Sequence, residues 1–267
     1  MQPPASVLDA FGAVAEPQPL AGGEGRSWRC GDLVLKPLGS SMSPQELEWQ
    51  GAVLGAARED GFRVPQLRRA CDGTALVDGW CAWEYVEGRH EERRWADVIA
   101  VGERFHAALE GVSRPALIGA RTDHWAVGDR VAWGELPAER FAHVKHLPRL
   151  LGALRPVDAP SQLVHGDLTG NVLFAPGLAP AVIDFSPYWR PPAFASAVVV
   201  GDALAWEGAD ESLLVAVGHI ASFPQFLLRA LIYRIVVDAL FRPGEPDRPD
   251  ADDCFVGPVE LGCRLAE

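Results

Sequence analysis

Apolar and polar positions divide the chain into two differently patterned parts. At residues 17–20, 27–30 and 33–36, short apolar runs are separated by a glycine-rich stretch and by the Gly31-Asp32 pair. A Gly-Asp pair between apolar runs predicts a tight hairpin, so three antiparallel strands are expected, with a glycine turn between the first and second. Ser43-Pro44 then opens a helix running to about residue 58. Ser43 is suited to cap it, Pro44 fits its first position, and Glu46 completes a capping-box pattern. Residues 64–67, 74–77 and 80–86 read as further strands. After Gly88 the period lengthens. Trp95, Val98, Ile99, Gly102, Phe105, His106 and Leu109 recur at helical spacing, and Gly111 and Pro115 close that helix. Residues 118–134 read as irregular and 138–154 as a helix. Residues 163–174 and 181–185 read as strands or strand-edged loops, and 204–206, 213–220 and 225–241 as helices. The Pro- and Asp-rich tail from Arg242 is expected to pack loosely. The expected fold is α+β and bilobal, with a small antiparallel-sheet lobe at residues 1–86 and a larger, mostly helical lobe at 87–267.

Composition narrows the class. With 267 residues, 48% hydrophobic and 22% charged, the chain can bury a sizeable core and is not a disordered regulator. A formal net charge of −12 argues against nucleic acid or an anionic membrane as partner, because both require a basic surface. It leaves room for a phosphate-bearing ligand held by a few local groups. Residues 1–12 lack a basic segment followed by an apolar run, and the apolar stretches 195–200 and 227–240 are too short or interrupted to span a bilayer. A cytoplasmic protein is expected, as a monomer or dimer. The five cysteines form no CxxC pair, so free thiols in a reducing compartment are expected.

The densest chemistry lies in His165-Gly166-Asp167-Leu168-Thr169-Gly170-Asn171, flanked by apolar runs and followed by Ile183-Asp184-Phe185. Asp167 is suited to act as a base, and Asn171 and Asp184 offer oxygen ligands. Mg²⁺ prefers such ligands and commonly bridges phosphates, so this pattern points to phosphoryl transfer.

Here the chain resembles the aminoglycoside phosphotransferase and choline kinase-like family, a branch of the protein-kinase-like fold. Other segments carry the resemblance in the same order. Residues 19–27 resemble the family's nucleotide loop, with Gly23, Gly25 and Ser27 as binding positions. Lys36, at the end of Leu33-Val34-Leu35, resembles the phosphate-binding lysine. Trp83-Glu84-Tyr85-Val86-Glu87-Gly88 resembles the adenine hinge, with Glu84 and Val86 meeting the purine edge. Arg104-Phe105-His106 resembles a segment of the first helix of the large lobe, and Gly201-Asp202-Ala203 a segment that steadies the catalytic loop. The resemblance implies ATP or GTP and Mg²⁺ as cofactors. It makes Asp167 the base, Asn171 and Asp184 the metal ligands, and His165 and Asp202 structural supports, with Asp202 accepting backbone hydrogen bonds from the loop. The acceptor would be a small molecule bound by the helical lobe.

Each piece has a plainer alternative. The glycines also suit a simple turn, Lys36 a solvated strand end, residues 84–86 an ordinary interlobe strand, and Asp202 a helix cap. A lysine turned inward needs an acid partner. Glu46, on the same helical face as Trp49 and Val53, is expected to supply it in preference to Glu48, although Glu46 also suits a mere cap. Two departures stand out. Three residues, not the family's four, separate Asp167 from Asn171, and Gly170 is expected to absorb the difference. Ser186 stands where the family's metal loop has glycine. The leading expectation is a small-molecule kinase. The rivals are a nucleotide-binding protein with little or no transferase activity and a scaffold retained for partner binding. Acids at Asp202, Glu207, Asp210, Glu211, Asp250, Asp252 and Asp253 suggest a cationic acceptor.

Overall fold

A computed structural model describes residues 1–20, 25–39, 42–57, 60–245 and 248–267. The chain divides into two compact units. The first comprises Met1–His90 and Val172–Phe185, and the second Glu91–Asn171 and Ser186–Glu267. Residues 172–185 thus belong with the N-terminal unit, a partition that a single boundary at 86/87 does not express. No helix among the described residues is long and apolar enough to cross a membrane.

The first unit is built on a five-stranded antiparallel sheet. Its strands are β1 (Gln18–Pro19), β2 (Trp28–Cys30), β3 (Leu33–Pro37), β4 (Leu67–Arg68) and β5 (Trp80–Glu84), in the order β1-β2-β3-β5-β4. Alternation along β3 sorts its faces. Leu33 and Leu35 join Val7, Phe11, Cys30, Ala70, Trp80 and Ala82 in a core covered by α1 (Ala5–Ala10), a helix too short to show a sequence period. Val34 and Lys36 take the opposite face. Helix α2 (Pro44–Ala56) begins as expected, with Ser43 Oγ accepting the Glu46 N–H at 3.1 Å. A short hairpin of β7 (Val172–Leu173) and β8 (Ala181–Val182) joins this unit. It is held by bridges from Arg89 to Phe174 and from Arg63 to Ala181.

In the second unit, α3 (Trp95–Ala108) matches the expected period. It is followed by α4 (Ala116–Ala120), α5 (His124–Ala132) and α6 (Leu147–Ala153). Strands β6 (Gln162–His165) and β9 (Pro187–Arg190) pair antiparallel, and α7 (Pro192–Trp206), α8 (Phe223–Phe241) and α9 (Val256–Ala266) complete the unit.

Four expectations are corrected here. Residues 118–134 are largely helical. Asp123 caps α5 by accepting the Ala126 N–H at 3.0 Å, and Gly128 lets α5 approach the α8 backbone at Tyr233. The helix expected at 138–154 is a short 3₁₀ turn (Glu139–Phe141) and then α6, separated by His146 at φ +70°. Helix α7 begins at Pro192, well before residue 204. Its apolar run, buried from Phe194 to Ala203, hides the helical period. The tail is not loose throughout, because α9 buries Val259, Leu261 and Cys263.

Candidate active site

In the first unit, the register of the sheet carries Lys36 beside Cys81 on β5, on the face away from the apolar core. Its Nζ forms an ion pair with Asp184 Oδ1 and lies 6.0 Å from the Trp83 ring centroid. Asp184 follows β8 and has φ +48°, which is costly for a non-glycine residue and typical of functional loops. Next to it, Phe185 stacks on Trp49 of α2 at 6.5 Å. The lysine partner expected at Glu46 is therefore supplied by Asp184, 148 positions away from Lys36 in sequence. Glu46 is buried on α2, where Gln50 Nε2 donates to it at 3.4 Å. Glu48 takes a forked pair from Arg69 at the surface, at 2.6 and 3.0 Å.

The proposed hinge follows β5. The Glu84 N–H donates to Gln66 O at 2.8 Å and the Tyr85 N–H to Asp32 O at 2.7 Å. Among the described residues, the Val86 N–H and C=O have no backbone partner, so Val86 offers the open donor and acceptor. In the glycine-rich stretch, Gly25 has φ +66° and Ser27 O accepts the Leu20 N–H at 3.0 Å. Gly23 lies outside the described residues.

In the second unit, the polar loop begins at the end of β6 and is held from below by two histidines. The fully buried His165 donates its N–H to His106 Nε2 at 3.1 Å, and its Nδ1 accepts the Asp167 N–H at 3.1 Å. Burial, reinforced by the neighbouring His165, lowers the His106 pKa to about 3, so the ring is neutral and its Nε2 serves as acceptor. Gly166 is required by close approach, since a Cβ there would lie 2.3 Å from the Tyr188 ring. Gly170 has φ +77°, the unusual backbone angle expected of it.

Asn171 closes the loop. Its N–H donates to Leu168 O at 3.0 Å and its Nδ2 to Asp167 O at 2.7 Å, which makes Oδ1 the acceptor end of the amide. The Asp167 carboxylate is 42% exposed and accepts from Arg234 Nη2 at 2.9 Å. Asp202 turns both oxygens to Arg234, at 2.7 and 2.6 Å, so its hold on the loop runs through a side chain and not through backbone amides. Burial opposes the charge on Arg234, but Asp202, Tyr233 and Asp167 outweigh it and keep the guanidinium firmly protonated. Arg234 was absent from the sequence expectations. It lies inside the apolar run of α8, where a buried cation next to an aromatic was the only available signal.

Magnesium is the metal the resemblance implies. Each unit carries one hard oxygen donor of the kind Mg²⁺ takes, the Asp184 carboxylate in the first and the Asn171 amide oxygen in the second. Among the described residues no group of three or more His, Cys, Asp or Glu forms a cage that could hold a metal.

Of the acids that suggested a cationic acceptor, Asp202 and Asp253 are buried in ion pairs, whereas Glu211 and Asp250 pair at the exposed surface. Asp202 holds Arg234, Glu207 accepts from Trp95 Nε1, Glu211 pairs with Arg264 at 2.6 Å, and Asp250 and Asp253 both pair with Lys145 at 2.7 Å.

Comparison with known proteins agrees with this geometry. An aminoglycoside phosphotransferase from Alicyclobacillus acidocaldarius superposes with a TM-score of 0.61 at 17% identity, covering 100% of this chain and 96% of that one. A microcompartment-associated aminopropanol kinase gives a TM-score of 0.61 at 19% identity, covering 95% of this chain and 91% of that one. A thermostable aminoglycoside phosphotransferase mutant, in ternary complex with ADP and hygromycin B, gives 0.59 at 14% identity with 97% of each chain covered. These likenesses show the bilobal, kinase-like fold. No curated protein sequence matches the chain. The model of the phosphotransferase enzyme family (APH) matches residues 17–192, well over half of the chain, and to that family the protein belongs.

Proposed function

We propose that the protein is a small-molecule kinase that transfers the γ-phosphoryl group of ATP or GTP to a hydroxyl of a small acceptor. The observation that carries the reading is the pairing of Lys36 with Asp184, the two charges that a metal–nucleotide complex needs most. Family membership and the kinases among the structural neighbours support it, as does the neighbour bound to ADP and hygromycin B.

In this reading Lys36 binds the phosphates of the nucleotide. Gly23, Gly25 and Ser27 approach them through the backbone, and the main chain at Glu84–Val86 meets the purine, chiefly through Val86. Glu46 is a second carboxylate on the lysine side of the site. Asp184 and Asn171 Oδ1 hold Mg²⁺, which when bound neutralises charge developing on the phosphate oxygens. His165 and Asp202 keep the loop rigid. Asp167 orients the acceptor hydroxyl and takes its proton as the new O–P bond forms and the bond to the leaving nucleoside diphosphate breaks. The acceptor carries a hydroxyl, and a positive charge on it is the expectation that the acid-rich helical part of the sequence raises.

The test is Mg²⁺-dependent nucleotide turnover with ATP and with GTP, over a panel of hydroxylated acceptors. Asp167→Asn is expected to lower turnover about 10²–10⁴-fold, the usual contribution of a general base, while nucleotide binding persists. Equal turnover by wild type and Asp167→Asn would overturn the mechanism. Tight nucleotide binding with no phosphorylated product from any acceptor would favour a binding protein instead.

A further inference from the structure

Asp202, Arg234 and Asp167 form one line of charge within the second unit, graded from core to surface. Asp202 is 2% exposed and Arg234 8%, whereas the Asp167 side chain is 42% exposed. Arg234 grips Asp202 with a two-point fork at 2.7 and 2.6 Å. Trp125 and Trp206 lie on its guanidinium, with ring centroids 5.5 and 5.9 Å from the central carbon. A planar cation fixed by a fork and by aromatic faces has one orientation. From that orientation Nη2 also donates to Asp167 Oδ1 at 2.9 Å.

Stability alone does not account for this arrangement, since a buried ion pair is commonly no better than apolar side chains of similar volume. The third contact gives it a purpose. Among the described residues, the other oxygen of Asp167, Oδ2, meets only the long 3.4 Å approach of Asn171 Nδ2. The main chain of Asp167 is held separately by His165 and Asn171. Backbone and one carboxylate oxygen are thus fixed, and one oxygen remains for another group.

We propose that Arg234, held by Asp202, is the positioning residue of Asp167. It pins Oδ1 so that Oδ2 is presented to the hydroxyl that attacks the phosphoryl group. The inference rests on the assignment of Asp167 as base made above. It also explains why Asp202 turns its oxygens to an arginine and not to the loop backbone.

The full chain is assayed with Mg²⁺–ATP and water as the acceptor, so no unidentified ligand is needed. Arg234→Lys keeps a buried cation but loses the fork and the planar stacking. It is expected to lower kcat roughly 100-fold, the effect of a displacement of about 1 Å at a reacting group, with KM for ATP unchanged. Placed on Asp167→Asn, the same substitution is expected to cost nothing further, because Arg234 acts through that carboxylate. A structural role would instead lower melting temperature, raise KM and multiply with Asp167→Asn. Should Arg234→Lys fail to fold, Trp206→Leu loosens the guanidinium from the surface, where Trp206 is 53% exposed. A smaller loss of kcat is expected, again abolished in the Asp167→Asn background. A defect in Asp167→Asn alongside unimpaired Arg234→Lys and Trp206→Leu would overturn the role of Arg234 alone. Equal hydrolysis by wild type and Asp167→Asn would overturn the base assignment on which it rests.

Discussion

The charged residues at the end of β3 and those behind the β6 loop are organised in opposite ways. Lys36 and Asp184 are 31% and 40% exposed, and each is the other's ion-pair partner. In the second unit, Arg234, Asp202, His106 and His165 are buried, Arg234 and Asp202 joined by a two-point fork and His106 Nε2 accepting the His165 N–H. On the proposed function, the groups that exchange a partner for a ligand are the more exposed ones. Groups that must keep another residue still are over-determined and dry. The contrast follows from dielectric screening, since an exposed pair gains little from its attraction and is easily traded, whereas a buried charge cannot be left alone.

Substitutions sharpen that contrast, beginning with the largest expected effect. Arg190 is clasped by Asp129 at 2.9 and 2.7 Å and both are about nine-tenths buried, so Asp129→Ala leaves the buried cation with the half-exposed Glu135 in place of a two-point fork. A loss of about 3 kcal/mol in unfolding free energy is expected, at the low end for a broken buried pair because Glu135 remains, read by urea denaturation. A loss below about 1 kcal/mol, the value for a surface pair, would erase the distinction drawn here.

His106 provides a test by pH. Its folded pKa of about 3 lies below the ordinary 6.5, so between these values the unfolded chain binds more protons than the folded one. Stability is therefore unaffected by this group above about pH 6.5 and falls as the pH drops toward 3, with a limiting slope of about 1.4 kcal/mol per pH unit. His106→Gln removes the titrating ring. Its unfolding free energy is expected to fall less steeply than wild type over that window, and parallel curves would contradict the buried, neutral assignment.

The smallest expected effect on stability is at Lys36. Lys36→Met breaks an exposed pair and is expected to change unfolding free energy by about 1 kcal/mol or less, a shift of no more than about 4–8 °C in Tm for a unit of this size. A large loss would place Lys36 with the structural charges and weaken its assignment as a ligand group.

Much of the small sheet was legible because its signals are local. Ser43 caps α2, the Gly31-Asp32 pair turns β2 into β3, and the period of Trp95 to Leu109 became α3. Helices α5 and α7 were not legible for opposite reasons. The interior of α5 carries Gly128, Asp129 and Arg130, which break an apolar period, although Gly128 packs on α8 and Asp129 holds Arg190 of β9. The run in α7 is apolar on every side, because the helix is enclosed.

The sequence by itself determined which chemistry is available. The spacing of Asp167, Asn171 and Asp184, with Lys36 far upstream, marks a phosphotransferase, because such motifs are short and their residue types are dictated by metal and phosphate chemistry. Only the tertiary structure decided the partners. It assigned Asp184 to Lys36, Glu48 to Arg69, Asp202 to Arg234 and Arg234 to Asp167, pairings that span between 21 and 148 positions. Residue type limits which groups can attract one another, but a charge pairs with whichever counter-charge the packed core brings within a few ångströms, and that is set by the fold as a whole.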